Sequence, residues 1–137
     1  MRTAAPGSPG AQTAARAKGG PPGWPDRVPP PGARGWQQAA IAWLLDLCPS
    51  EYRGYAVLRR HPLALTWLAE HHVTAQIEAM RAAYRTVRLD LGEALSSGTV
   101  DAVLVCLEHE GLRLRAAQRG IVLIREVLDG NVFVERL

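Results

Sequence analysis

The 137-residue chain has few cysteines and no long apolar run, and both features limit the classes of protein to which it can belong. Its two cysteines, Cys48 and Cys106, lie far apart and each adjoins a leucine. We expect both to be buried, reduced thiols in a cytoplasmic protein. The longest wholly apolar run, Ala39 to Leu45, is far shorter than the ~20 residues that a membrane-spanning helix needs. No apolar core follows the N-terminal charges, so the sequence predicts neither a secretory signal nor a membrane anchor.

Catalytic signatures are also lacking. The sequence has no Gly-rich phosphate loop, no Ser/His/Asp order and no Cys/His elbow, and neither cysteine has a base beside it. We therefore expect no enzyme, no cofactor and no small-molecule substrate. A single lysine accompanies 15 arginines, and alanine is abundant, which is typical of a GC-rich bacterial genome.

Proline and glycine are concentrated at the N-terminus. Residues 1–35 contain 15 of the chain's Gly and Pro, and after Met1 their only large apolar side chains are Trp24 and Val28. Burial of so little apolar surface does not offset an ordering entropy of roughly 1–2 kcal/mol per residue. We therefore predict a disordered basic tail over residues 1–35 and one folded domain over residues 36–137. Translation from an alternative start at Val28 would remove most of this tail.

The charge divides at the same boundary. Residues 1–35 carry five cations and one acid, whereas the remainder carries 11 arginines and 12 acids. The basic isoelectric point therefore belongs to the tail. Such an arm adds non-specific affinity for nucleic acid when it is dense in charge, but five cations over this length are also typical of a solvated tail.

Two apolar stripes at helical spacing dominate the rest of the sequence. Steps of three and four residues place side chains on one face of an α-helix. The stripes are Ala69, Val73, Ile77, Met80, Tyr84, Val87, Leu91 and Val103, Leu107, Glu110, Leu114, Ala117, Ile121, Ile124, Leu128. They predict a long antiparallel helical hairpin within an all-α, four-helix array.

The predicted helix ends follow from capping residues. The first helix spans about Trp36 to Leu47, and Ser50 caps a short second helix that ends near Arg60. Pro62 fits the first turn of the third helix, which continues to about Leu91. Thr99 caps the fourth helix, and Gly130 suits the left-handed position after its end. We read Val132–Leu137 as an extended tail.

Two glycines lie inside the fourth helix, where each costs about 1 kcal/mol relative to alanine. We expect close approach of another helix at Gly111, which borders the apolar stripe; a kink is the alternative.

Glu110 is the one charged residue within either stripe. A buried, unpaired carboxylate is very costly, so we expect Glu110 to be half exposed or paired with Arg81, Arg85 or His72. A small enzyme or metal protein centred on Glu110 is an alternative function. No Glu-x-x-His pair occurs, and His71 and His72 diverge by about 100°, so no metal site is expected.

An arginine face supports a second alternative, a nucleic-acid-binding accessory protein that uses this face and the basic tail. Its candidate residues lie before and along the third helix: Arg59, Arg60, Arg81, Arg85 and Arg88. Interleaved acids on the same helices are instead typical of a solvated face with i,i+4 pairs. Binding of this kind predicts an affinity that falls steeply with salt.

The leading interpretation is a non-enzymatic protein–protein interaction module that binds a partner or forms a homodimer. Four tryptophans are many for a core of this size, and Trp is frequent in interface hot spots. The interface candidates are Trp36, Trp43, Trp67, Tyr52 and Tyr55. The alternative is that the three tryptophans form the core between the first and third helices.

The segment from Tyr52 to Pro62, YRGYAVLRRHP, followed by a long helix, resembles small helical proteins of high-GC actinobacteria. The resemblance covers most of residues 40–137. It implies a bacterial, cytoplasmic, all-helical protein, and it assigns neither a function nor site residues.

Overall fold

A computed structural model describes residues 19–130, and these residues form helices, turns and no strand. The predicted all-α class is therefore confirmed. The helices are α1 (Trp36–Asp46), α2 (Ala56–Arg60), α3 (Pro62–Leu91) and α4 (Ser97–Leu128), with a short 3-10 helix over Ser50–Gly54. The predicted second helix is thus two pieces, divided at Tyr55, whose extended backbone (φ −95°, ψ 99°) fits neither.

The helix ends follow local chemistry. Pro62 occupies the first turn of α3, as predicted, where its missing N–H costs no helical hydrogen bond. The cap of α4 is Ser96 rather than Thr99, since the Ser96 hydroxyl accepts a 3.1 Å hydrogen bond from the Thr99 N–H. Gly130 has a φ of +86°, which confirms the left-handed position after α4.

Helices α3 and α4 form the predicted antiparallel hairpin. Both apolar stripes contribute to their interface, and Ala69, Val73, Ile121 and Ile124 are fully or almost fully buried. Cross-helix contacts fix the antiparallel register. Arg88 pairs with Asp101 at 3.3 Å, the Tyr84 hydroxyl donates to Glu108 at 3.1 Å, and Gln118 Nε2 donates to Thr74 at 3.3 Å.

The remaining elements cover only one half of the hairpin. At ~1.5 Å per residue, α1 is roughly 16 Å long and α3 roughly 45 Å long. The main core joins α1 to one end of the hairpin through Leu44, Leu65 and Leu114. At the other end of the hairpin, a separate small cluster is formed only by residues of α3 and α4: Val87, Val100 and Leu104. We call that other end, residues 78–112, the distal arm.

The predicted tail boundary at residue 36 is wrong for residues 19–35. Trp24 and Val28 belong to the main core, and Trp24 Nε1 donates to the carbonyl oxygens of Val28 (3.0 Å) and Pro29 (3.1 Å). The rings of Trp24 and Trp36 pack with their centroids 5.9 Å apart. This N-terminal segment therefore forms part of the fold. Residues 1–18 of the predicted tail, and the predicted extended tail over 132–137, lie outside the described residues.

Close approach occurs at Gly120 and not at the expected Gly111. A β-carbon on Gly120 would lie 2.9 Å from both Pro25 Cγ and Trp43 Cη2, whereas nothing lies within 4 Å of one on Gly111. Gly120 therefore lets the N-terminal segment and α1 pack against α4. The two glycines are nine residues apart, about 2.5 helical turns, so they lie on opposite sides of α4.

No helix within residues 19–130 has the length and apolarity needed to cross a membrane.

Candidate interaction surface

The predicted interface aromatics do not form one surface. Trp36 and Trp43 are half-buried and pack against the main core, which leaves little of either ring for a partner. Tyr52 is also half-buried, and its hydroxyl lies 2.6 Å from His72 Nε2. Only Trp67 and Tyr55 remain largely exposed, at 60% and 55%. The alternative that all three tryptophans form the core is thus wrong for Trp67.

Trp67 is partly covered by its own helix. Its ring meets that of His71 edge-on with a centroid separation of 4.6 Å, since residues four apart in a helix are neighbours. Near the same end of the molecule, Val57 and Leu63 are also exposed.

The arginine candidates are all exposed, but several already form an ion pair or a hydrogen bond within the chain. Arg81 pairs with Glu78 at 2.7 Å, Arg88 pairs with Asp101, and Arg59 donates to the Arg53 carbonyl oxygen. Among the described residues, Arg60 and Arg85 form no ion pair. The face therefore alternates charge rather than presenting a continuous basic surface, and nucleic-acid binding stays a prediction without structural support.

Glu110 is half exposed, as expected, but its partner is Arg113 and not Arg81, Arg85 or His72. Arg113 lies one turn further along α4, and its Nε donates to Glu110 Oε1 at 3.0 Å. This hydrogen bond, with a smaller contribution from the positive charge of Arg113, lowers the pKa of Glu110. A general acid or base working near neutral pH needs a raised carboxyl pKa. The geometry of Glu110 does not supply that property.

Substitution of Glu110 with glutamine should change stability little at neutral pH, by about 0.5 kcal/mol or less, because the pair is exposed and lies within one helix. The pKa of Glu110 is lowered in the folded state, so its stabilising effect is present above the unfolded-state pKa, about 4.3 for glutamate. It is lost as the pH falls through the folded-state pKa. Urea denaturation at several pH values measures the difference in the free energy of unfolding between the wild type and the variant. A difference that widens in acid would contradict this prediction.

The two cysteines differ in exposure. Cys48 is buried, as expected, but Cys106 is exposed, and neither forms a disulfide. Cys48 borders a cleft of about 260 Å³ that also includes His72 and Arg113. Burial raises the pKa of the Cys48 thiol, an effect that the charge of Arg53 only partly opposes. A raised pKa disfavours the reactive thiolate, so this cleft lacks an activated nucleophile.

No three His, Cys, Asp or Glu side chains within residues 19–130 come together in a group that could hold a metal ion. The neighbouring His71 and His72 instead contact the aromatic residues Trp67 and Tyr52.

Sequence reasoning missed the distal arm as a surface. Its large apolar side chains remain exposed because no third helix covers the hairpin there: Tyr84, Leu89, Leu91, Leu95, Val105 and Leu112. Leu112 is 69% exposed and Leu89 84% exposed. A groove of about 400 Å³ runs between α3 and α4 at the base of this arm, with Met80, Tyr84, Gly111 and Leu112 among its lining residues.

Comparison with known proteins gives no relative from which to transfer a role. The chain matches no protein-family model, and searches of curated proteins and of solved structures found no similar protein.

Proposed function

We propose that this chain is a non-enzymatic protein–protein interaction module that forms a homodimer through the distal arm. The observation that carries the proposal is the incomplete cover of the hairpin. Helix α1 and the N-terminal segment bury one half, while the distal arm leaves six large apolar side chains exposed. Two of them, Tyr84 and Leu112, line the groove between α3 and α4 together with the charged Arg81, Glu108 and Arg115, and an apolar groove with charged residues beside it is typical of an interaction site.

The bacterial cytoplasm is the proposed location. The two cysteines form no disulfide, which fits a reducing compartment. The arginine-rich, lysine-poor composition fits a GC-rich bacterial genome.

Sedimentation equilibrium from low to high micromolar concentration tests the proposal. We expect a reversible monomer–dimer equilibrium that depends on salt far less steeply than nucleic-acid binding does, since apolar burial drives it. Leu112→Arg places a charge on the distal arm and should leave a monomer at every concentration. Trp67→Ala removes another largely exposed apolar side chain, at the other end of the hairpin, and should leave the equilibrium unchanged.

A wild-type chain that stays monomeric throughout this range would contradict the proposal. Loss of the dimer in Trp67→Ala but not in Leu112→Arg would place the interface at the start of α3 instead. Binding of nucleic acid would be recognised by an affinity that falls steeply with salt.

A further inference from the structure

Four residues of α4 form one compact face on the groove side of the hairpin. Glu108, Gly111, Leu112 and Arg115 are spaced by three and four, so they are neighbours on the helix surface, and all four line the groove. Gly111 leaves a gap in this face, because nothing lies within 4 Å of the position that a β-carbon would take. Leu112, beside the gap, projects into solvent with 69% of its surface exposed.

The gap at Gly111 has a cost that the monomer does not explain. Glycine inside a helix is about 1 kcal/mol less favourable than alanine. At Gly120 the close contact with Pro25 and Trp43 accounts for the glycine, but Gly111 has no such neighbour within the described residues. A side chain from outside the monomer would fill the gap without displacing any residue.

The face is complementary to itself. The point midway between Gly111 and Leu112 is equally far from Glu108 and from Arg115, about 5 Å along the helix. A two-fold axis through that point makes the two copies of α4 antiparallel. Leu112 then faces the partner subunit's Gly111, and Glu108 faces the partner subunit's Arg115, each contact occurring twice.

The charges on this face are available for such contacts. Among the described residues, neither Glu108 nor Arg115 forms an ion pair. The Tyr84 hydroxyl donates to one oxygen of Glu108 and leaves the other free. A face of one sign would repel its own copy, whereas an acid and a base placed symmetrically about the gap attract it.

We infer that two copies of this chain dock about a two-fold axis between Gly111 and Leu112, with Leu112 of each subunit in the gap at the partner subunit's Gly111 and with reciprocal Glu108–Arg115 ion pairs. The inference rests on the proposed homodimer and specifies its geometry. The interface of this dimer is formed by α3 and α4 of each subunit, and each groove receives apolar surface of the other subunit.

A charge-reversal series tests this geometry by sedimentation equilibrium. Glu108→Arg alone places like charges opposite each other twice and should raise the dissociation constant by about 10- to 100-fold. Arg115→Glu alone should do the same. The double variant Glu108→Arg/Arg115→Glu restores opposite charges and should return the dissociation constant to within about threefold of the wild-type value.

The matched control lies on the other side of the same helix. Glu110→Arg/Arg113→Glu also exchanges an acid and an arginine of α4, but Arg113 borders the cleft beside Cys48 and not the groove. Glu110→Arg alone should leave the dissociation constant unchanged. Circular dichroism confirms that every variant keeps its helical content.

The outcomes separate this inference from the proposed function. A dimer that tolerates Glu108→Arg, or that the double variant fails to restore, overturns the two-fold geometry but leaves the proposed homodimer intact. A wild-type monomer at every concentration overturns both. If Leu112→Arg lowers the free energy of unfolding of the monomeric protein, both proposals are also overturned. That result would indicate that residues of the same chain beyond the described range occupy the groove.

Discussion

Replacement of Trp24 with alanine is expected to lower the free energy of unfolding by about 3–5 kcal/mol, a large part of the ~5–15 kcal/mol that stabilises a typical domain. Trp24 is only 7% exposed and belongs to the main core. Its removal leaves a cavity beside Trp36 and leaves the carbonyl oxygens of Val28 and Pro29 without their indole donor. Urea denaturation followed by circular dichroism measures the loss.

Two comparisons make the Trp24 result specific. Trp67→Ala removes the same side-chain volume from a site that is 60% exposed and should cost less than about 1 kcal/mol. A chain that begins at Val28 lacks both Trp24 and Pro25 and should be destabilised at least as much as Trp24→Ala. Equal denaturation midpoints for Trp24→Ala and the wild type would show that residues 19–35 do not contribute to the fold.

The hairpin could be predicted because its determinants are local. The stripe from Ala69 to Val87 repeats at helical spacing, and Pro62 and Gly130 mark ends through backbone chemistry that depends on few neighbours. Antiparallel pairing follows from the short connection between two long helices. These features require no knowledge of which other segment packs where.

The N-terminal segment could not be predicted by composition, because an average over 35 residues hides a single well-placed side chain. Trp24 is buried because Gly20 and Gly23, at φ values of +129° and +91°, allow the chain to turn beside it. Gly23 also approaches Leu123 of α4, where a β-carbon would lie 3.3 Å from Leu123 Cδ1. Only the three-dimensional arrangement shows that these residues share one site.

The same limit applies to the candidate surface. The sequence marks aromatic residues as interface candidates, yet Trp36 and Trp43 are half-buried, because burial depends on how far α1 reaches along the hairpin. Leu112 stays exposed because the end of α1 borders α4 at Arg113, and Leu112 faces the groove instead. One signal was present in the sequence: the spacing of Glu108, Gly111, Leu112 and Arg115 places a gap, an apolar side chain and opposite charges on one face.

Gly120→Leu is expected to lower the free energy of unfolding by about 3 kcal/mol, because the new side chain must enter space that Pro25 and Trp43 already occupy. The better helix propensity of leucine offsets only about 0.8 kcal/mol of this cost. Pro25 is buried at the start of a turn closed by the Val28 N–H, and Trp43 packs against the core, so neither moves aside without loss of its own contacts. Gly120→Ala should be milder, since it adds a single carbon.

Gly111→Ala provides the opposite result within the same helix. Nothing lies within 4 Å of the new β-carbon, so at concentrations where the protein is monomeric the substitution should stabilise it by about 0.8–1 kcal/mol through helix propensity. The same methyl group fills part of the gap that Leu112 of a second subunit would enter, so the dimer should dissociate more readily. Thermal denaturation in dilute solution and sedimentation equilibrium measure the two effects separately. Stabilisation by Gly120→Leu would show that α1 and the N-terminal segment do not pack against Gly120, and destabilisation of the monomer by Gly111→Ala would show that the space beside Gly111 is not open.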